Sequence, residues 1–450
     1  MKTEDFILSL FEKAKQAGLE EYEVYCSVGK SFFTDVNNGE PEKYTVNDFT
    51  GISFRAKKDG RIGYCSTTAK SPETADFLIK GVTENLSVLN GEDEQFIFEG
   101  SPQYEQAEDY SPELADMSDE AKIELARQIE AEAKAQPGVA RVMHAVAAYG
   151  SSEIFISNSK GLKLHSRDNY IYIYAYCIAI ASDGKVSSDG MSYAFARSAK
   201  DIDPKALARE AARKAADGLH PASLATGSYK AIISGETVTD LLSAFASVFS
   251  ADAAQKGISL LGGQEGEAVA SEALTLYDDP LYEGAMLHST FDDEGVATFS
   301  KAVIDKGVLK TLLHNLKTAH KAGVQSTGNG SKAGYSSGIS VAPRCFFIKP
   351  SEITPDELLE RMGEGVYITE LNGLHSGANP ASGDFSLSAR GYAVRGGKKC
   401  EAVSDFTVTG NFYELLKNVE AVASKIVWAL PPEIGSPDIL ISSIMVSGKK

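Results

Sequence analysis

Four things are scarce in this 450-residue chain, and each scarcity closes off a class of function. Its five cysteines, Cys26, Cys65, Cys177, Cys345 and Cys400, are odd in number, far apart and never in a C-x-x-C pair. That pattern supports neither a disulfide framework nor a zinc knuckle. It suits a reducing compartment, so a cytoplasmic protein is expected. Basic residues are outnumbered, 44 Lys and Arg against 62 Asp and Glu, which leaves a formal charge of −18. An acidic surface repels phosphate backbones and no basic cluster offsets it, so no nucleic-acid partner is expected. Long apolar runs are missing too. The longest, residues 170–181, is too short to span a bilayer as a helix and alternates like a strand, so no membrane partner is expected. The start, MKTEDFILSLFEKAKQ, reads as an amphipathic helix and not as a secretion signal. Lastly, none of the seven histidines has a second one at the i, i+4 spacing that sets two imidazoles on one helical face.

What is present is an ordinary globular composition, 43% hydrophobic and 24% charged, enough to build more than one core at this length. The pattern predicts an α+β protein of two domains. The first, residues 1–220, contains an internal repeat, about 4–89 and 118–217, each copy a helix, three strands and a helix. Asp59-Gly60 and Asp183-Gly184 are hairpin-turn dipeptides in matching places. The two copies are expected to join side by side into one antiparallel sheet covered by helices. Between them, residues 91–117 are acidic and Pro-containing and read as a surface loop or linker. The strand at 170–182 sets Tyr170, Tyr172, Tyr174 and Tyr176 on one face and Ile171, Ile173, Ala175 and Cys177 on the other. The tyrosine face reads as packed under helices with its hydroxyls at the rim. The alternative is an aromatic platform for a peptide or a base.

Residues 218–227 (GLHPASLATG) mark the domain boundary. The second domain, 226–450, is predicted as mostly antiparallel β with a few helices. It opens with residues 236–256, which read as one amphipathic helix. Val238, Leu241, Leu242, Phe245, Val248 and Phe249 form its apolar stripe. No charge occurs from Leu241 to Ala251, so its other side, Ser243, Ala246, Ser247, Ser250 and Ala251, is expected to be protected by a cavity or an interface.

Candidate chemistry is sparse. Asp292, Asp293 and Glu294 precede Gly295 and read as a turn; the alternative is a hard-cation site or an acid–base pair. Ser336 lies in a G-x-S-x-G match, 334–338, but a strand-like segment follows where a nucleophile elbow needs a helix. The run Ser326-Thr327-Gly328-Asn329-Gly330 fits neither the P-loop nor the dinucleotide fingerprint.

Several segments together resemble the TldD/PmbA family, the peptide-maturation metallopeptidases also called modulators of DNA gyrase. They are Gly51-Ile52-Ser53-Phe54-Arg55, Asp59-Gly60-Arg61-Ile62-Gly63-Tyr64, Gly263-Gln264-Glu265-Gly266-Glu267-Ala268-Val269-Ala270-Ser271-Glu272 and Phe291-Asp292-Asp293-Glu294-Gly295-Val296. Gly307-Val308-Leu309-Lys310, Ser326-Thr327-Gly328-Asn329, Gly383-Asp384-Phe385-Ser386 and Met445-Val446-Ser447-Gly448 extend the likeness, in the same order, over nearly the whole chain. One branch of the family carries His-Glu-x-x-x-His on the helix before the Gly-Glu-x-Val-Ala-Ser segment, with a cysteine near the C-terminus completing a zinc site. In this chain those positions fall on Leu242, Ser243 and Ser247, and more loosely on Ala423. None is a zinc ligand of the usual kind. The resemblance is therefore to the PmbA (TldE) branch. It implies a cytoplasmic two-subunit peptidase that cleaves leader peptides or unfolded polypeptides. This chain would hold no cofactor, the zinc would sit in a TldD-like partner, and the isolated chain could form a homodimer. Asp292, Asp293, Glu294, Ser326, Asn329 and Asp384 are the candidates for lining its cavity or touching peptide. Two other readings remain at this point: a self-sufficient hydrolase with a non-zinc site, and a non-enzymatic peptide-binding homo-oligomer.

Overall fold

A computed structural model of the chain describes residues 2–88 and 96–448. The last residue of the helix predicted to end at 89, and residues 91–95 of the linker, lie outside the described residues.

The first half runs α1 (Thr3–Gln16), β1 (Glu21–Asn37), β2 (Glu40–Lys58), β3 (Arg61–Thr67) and α2 (Pro72–Val88). After a short α3 (Pro112–Ala115) the series repeats: α4 (Asp119–Lys134), β4 (Val139–Asn158), β5 (Lys163–Ile180), β6 (Ser187–Ala196) and α5 (Pro204–Asp217). All six strands make one sheet in the order β3-β2-β1-β4-β5-β6, every neighbouring pair antiparallel. The helices lie on one face of it. α1 and α2 press Phe6, Leu10, Leu78 and Val82 onto Val24, Ile52 and Phe54. α4 and α5 press Ile129, Ala126, Ala208 and Ala211 onto Ala145, Ile171, Ile173 and Ala175. Small alanines on both sides let the second helix pair sit close to its strands.

This arrangement reverses one expectation. The Ile171, Ile173, Ala175 and Cys177 face goes under the helices. The four tyrosines of β5 stand on the opposite, helix-free face and are half-buried. Asp59 and Gly60, at φ 51° and 75°, form the two-residue turn between β2 and β3. Asp183-Gly184 sits instead inside a longer loop, closed where Ala181 N–H donates to the Val186 carbonyl at 2.8 Å.

The linker, where described (96–117), is a mostly irregular surface segment, as expected, but it is anchored. It forms a strap packed across the other half of the molecule. Tyr104 donates its hydroxyl to the Gly295 carbonyl at 2.7 Å, and Ala297 N–H donates to Ser101 Oγ at 2.9 Å. Asp109 is buried, with its carboxylate 2.5 Å from the Arg197 guanidinium and 2.8 Å from His288 Nδ1.

The second half contains β7 (Gly227–Ile233), α6 (Gly235–Phe245), α7 (Ala251–Gln255), β8 (Leu276–Asp278), β9 (Lys301–Asp305), β10 (Val308–Leu309), α8 (Leu316–Ala322), β11 (Gly330–Ser331), β12 (Ser340–Val341) and β13 (Phe346–Ile348). It continues with α9 (Pro355–Met362), β14 (Gly365–Asn372), α10 (Leu374–Gly377), β15 (Asp384–Arg395), β16 (Lys398–Asn411), α11 (Phe412–Lys417), β17 (Val419–Val422), β18 (Val427–Trp428), β19 (Ile434–Ser436) and β20 (Ile439–Ser447). The run β16-β15-β14-β7-β20 closes on itself through a β16–β20 pairing, with β17 attached to β20. A second sheet is ordered β10-β9-β8-β13-β19-β18. Most pairings are antiparallel; β7–β14 and β13–β19 are parallel. The fold is α+β throughout. α6 lies in the main core of this half, its Phe245 ring stacked on Phe412 at 4.5 Å.

The segment 236–256 is not one helix. Its apolar stripe is buried as the periodicity predicts. The helix stops after Phe245, passes through a tight turn at Ala246–Phe249, and restarts as α7. Ser250 is extended (φ −78°, ψ 129°). Leu313 N–H donates to the Phe249 carbonyl at 2.8 Å and Ala251 N–H donates to the Leu313 carbonyl at 2.9 Å. Pairing with this distant segment takes the backbone groups that a continuous helix would use. Ser250 then caps the new helix, accepting from Asp252 N–H at 3.2 Å.

Candidate functional site

Ser234 starts α6 by accepting from Thr237 N–H at 3.3 Å. From there Glu236, Asp240 and Ser243 follow each other at helical spacing along the side turned away from the core, and Ser247 lies in the tight turn after α6. Ser243 and Ser247 are exposed, with half-buried Ala244 and Ala246 beside them. Among the described residues nothing covers Ser243 and Ser247, so the protection expected of the charge-free side fails for these two, whereas Ser250 and Ala251, expected on the same side, are buried. Ser243 donates its hydroxyl back to the Thr239 carbonyl at 2.7 Å, four residues earlier. Asp240, open on one side and crowded on the other, has its carboxyl pushed up to about 6, by burial first and then by Glu236 and Glu370. Across from it the Tyr193 phenol is held well above its ordinary range by burial, with Glu236 and Asp240 adding to the effect.

The four positions matched to a zinc site do not assemble one. Leu242 points into the core of α6, and Ala423 is fully buried in a separate cluster with Ile232, Leu358 and Leu440. Only Ser243 and Ser247 share a surface. A protein zinc site needs three or four nitrogen, sulfur or carboxylate donors. Among the described residues no three His, Cys, Asp or Glu side chains converge in this way. The residues present do not fit the ion.

Asp292, Asp293 and Glu294 do form a turn. Phe291 bridges to Ala297, Asp292 N–H donates to the Val296 carbonyl at 2.8 Å, and Gly295 sits at φ 83°. Yet all three carboxylates are buried, which their sequence does not suggest. Asp292 accepts from the amides of Glu294, Val296 and Gly330, at 2.9, 2.9 and 2.7 Å. Asp293 accepts from Lys332 N–H at 2.8 Å and pairs with Arg344 at 3.0 Å, and the Tyr25 hydroxyl of β1 reaches it at 3.4 Å. Glu294 accepts from Leu316 N–H at 2.7 Å. Burial pushes the Asp292 carboxyl up to about 6; burial and then the Asp292 charge push Glu294 up to about 8.

This knot joins the two halves. Lys332 Nζ lies over the rings of Tyr25 and Tyr64, at 5.3 and 5.0 Å, and donates to the Tyr64 hydroxyl and the Ser337 carbonyl. Burial brings its ammonium down to about 8. Beside it Arg55 and Glu23 make an ion pair at 2.7 Å. Asn329 belongs to the same knot, donating to Asp278 at 2.7 Å, and Ser326 donates to the His314 carbonyl at 3.2 Å. Asp384 lies elsewhere, exposed on β15 beside Asn411. Ser336 is an exposed loop residue between β11 and β12. The carboxylates are occupied by backbone amides and side-chain cations, so they lock loops together; no acid–base pair stands free here. Sequence reading missed Lys332, although it is the one charged side chain in the Gly/Ser-rich stretch 326–340.

Comparison with known proteins covers most of the chain. The family models described as PmbA/TldA metallopeptidase domain 1, central domain and C-terminal domain match residues 22–86, 112–219 and 226–448. A metalloprotease of Methanothermobacter thermautotrophicus is 30% identical over 315 residues, 66% of this chain and 68% of that protein. The crystal structure of a Thermotoga maritima protein described as a modulator of a DNA gyrase superposes with a TM-score of 0.90 at 31% identity. It covers 99% of this chain and 100% of that one. TldE of Thermococcus kodakarensis shares the fold, with a TM-score of 0.88 at 21% identity over 98% and 100% of the two chains.

Proposed function

The chain belongs to the PmbA/TldD metallopeptidase family, and from that premise we propose that it is the metal-free subunit of a cytoplasmic, two-subunit zinc peptidase acting on leader peptides or unfolded polypeptides. A partner with His-Glu-x-x-x-His holds the zinc and the water-activating carboxylate. This chain contributes cavity wall and subunit contact.

The observation that carries the reading is the outward side of α6. Where the zinc-binding branch has its ligands this chain has Leu242 and Ser243 on α6 and Ser247 in the turn after it, none a usual zinc ligand, and among the described residues nothing covers the two serines. A solvated helix face normally carries Lys and Glu. An uncharged patch of Ser and Ala at the end of α6 and in the turn after it, low in side-chain entropy, suits close contact with a second subunit. The self-sufficient hydrolase finds no support at Asp292, Asp293 or Ser336, since the carboxylates are sealed in a loop knot and the serine has no helix behind it. A gyrase role finds no physical support in an acidic chain of net charge −18. Among the described residues no helix is long and apolar enough to cross a membrane.

The test is reconstitution. The purified chain alone is expected to cleave no unfolded polypeptide, and activity is expected once it is mixed with a His-Glu-x-x-x-His family member. Chelator-resistant cleavage by the chain alone would overturn the proposal.

A further inference from the structure

Two sheets end beside each other where the halves of the molecule meet. β6 is the terminal strand of the N-terminal sheet and pairs with β5; β18 is the terminal strand of the second C-terminal sheet and pairs with β19. Among the described residues no strand pairs with the outer edge of either. Between them lies a cleft of about 210 Å³, lined by residues 192–195 of β6 and 427–429 at β18, with Met286 between. The Tyr193 hydroxyl, donating to the Trp428 carbonyl at 3.3 Å, ties the two walls together.

The lining specifies the ligand. Phe195, stacked on Tyr170 at 4.7 Å, and Met286, Val427 and Trp428 make the walls apolar and aromatic. The two charges present, Lys214 and Glu236, pair with each other at 3.0 Å, so the cleft offers no free charge to an ionic group. Its volume is below the roughly 300–1,000 Å³ of ordinary small-molecule pockets and suits one or two bulky side chains. The outward edges of β6 and β18 present backbone donors and acceptors to anything lying along them, and an extended polypeptide matches these. The cleft also meets the outward side of α6 at its N-terminal end. Glu236 lines it, and Asp240 and Ser243 follow on the same side of α6.

We propose that this cleft receives a bulky apolar side chain of an extended polypeptide whose backbone runs along the free edge of β6, anchoring that polypeptide at the N-terminal end of the α6 face. The inference rests on the peptidase-subunit reading for its purpose, and it names where this subunit grips the substrate and which residues it selects.

Trp428 is the single tryptophan of the chain and a wall of the cleft, so its emission reports occupancy directly. The probe is a short unstructured Gly/Ser peptide carrying one phenylalanine, against the same peptide carrying aspartate there. Titration of the phenylalanine peptide is expected to change Trp428 emission saturably, and the aspartate peptide to bind at least about tenfold more weakly. Met286→Glu is expected to abolish the response and Met286→Leu to keep it. In the reconstituted peptidase Met286→Glu raises KM for the phenylalanine peptide about fivefold with kcat little changed. Equal affinity for the two peptides, or an unchanged emission throughout, overturns the proposal; this comparison uses the unmutated chain and so stands even if a Met286 variant folds poorly. The two readings fail separately. Peptide binding at Trp428 without activity on reconstitution defeats the subunit reading alone, and reconstituted activity indifferent to the phenylalanine defeats the cleft alone.

Discussion

Glu294 shows how much a residue's neighbours change what its type implies. In an Asp-Asp-Glu-Gly turn it would be solvated; here it is buried beside Asp292, and its carboxyl titrates near 8 instead of 4.5. The sign of the consequence is fixed. The folded chain holds this proton more tightly than the unfolded chain does, so raising the pH through the interval from 4.5 to about 8 removes stability. Lys332 acts in a different window, since its ammonium titrates near 8 instead of 10.5 and it gains stability only above that point. Scanning calorimetry should therefore show Tm falling between pH 5 and pH 8. Asp292 and Asp240, raised to about 6, share the fall below pH 6, so in Glu294→Gln the part of the fall between pH 6 and pH 8 should be absent, a difference of about 2–4 °C for each ~1 kcal/mol removed. The turn itself was legible in the sequence, because Asp, Glu and Gly favour it locally. The burial was not, because nothing within the turn says that Gly330, Lys332, Leu316 and Arg344 will dock onto it.

At the scale of the element, α6 and α7 divide what periodicity can tell from what it cannot. The apolar stripe from Val238 to Phe249 was readable, and every member of it is buried. The break was not, because its cause is the backbone of Leu313. Ser250→Ala should cost about 1 kcal/mol in denaturant melts, the usual loss for an N-cap, since only the α7 cap is removed. Ser243→Arg tests the outward face. On an exposed position it should change stability by no more than about 0.5 kcal/mol. In a pull-down with the zinc-bearing partner it should lower binding at least about tenfold, by setting a large charge against a contact built for Ser and Ala. β5 teaches the same lesson. Its alternation was legible, but either face was apolar enough to be the covered one. The alanines of α4 and α5, which need a close and smooth partner, decide for Ile171, Ile173 and Ala175.

For the whole molecule, the two halves and the α+β class could be read from the order of helices and strands, whereas the way they are held together could not. The acidic stretch after α2 looked like a loop because its composition is polar. It is one, but its buried Ile97, Asp109 and Leu114 make it a strap that ties the N-terminal sheet to the loops around His288 and Gly295. Asp109→Asn, which leaves Arg197 and His288 without their carboxylate, should cost about 2 kcal/mol or more and speed cleavage of the strap in limited proteolysis. The strap, the Asp292–Asp293–Glu294 knot and the Tyr193–Trp428 contact hold the halves in register, so the cleft abuts the α6 face at Glu236. On that surface the central claim rests: this subunit shapes a peptidase cavity and its partner performs the chemistry. The most direct test is to count zinc in each chain after the two are mixed, purified as a complex and separated. The account predicts one zinc retained by the His-Glu-x-x-x-His chain and none by this one. Stoichiometric zinc on this chain, lost when Ser243 or Ser247 is changed to alanine, would contradict it.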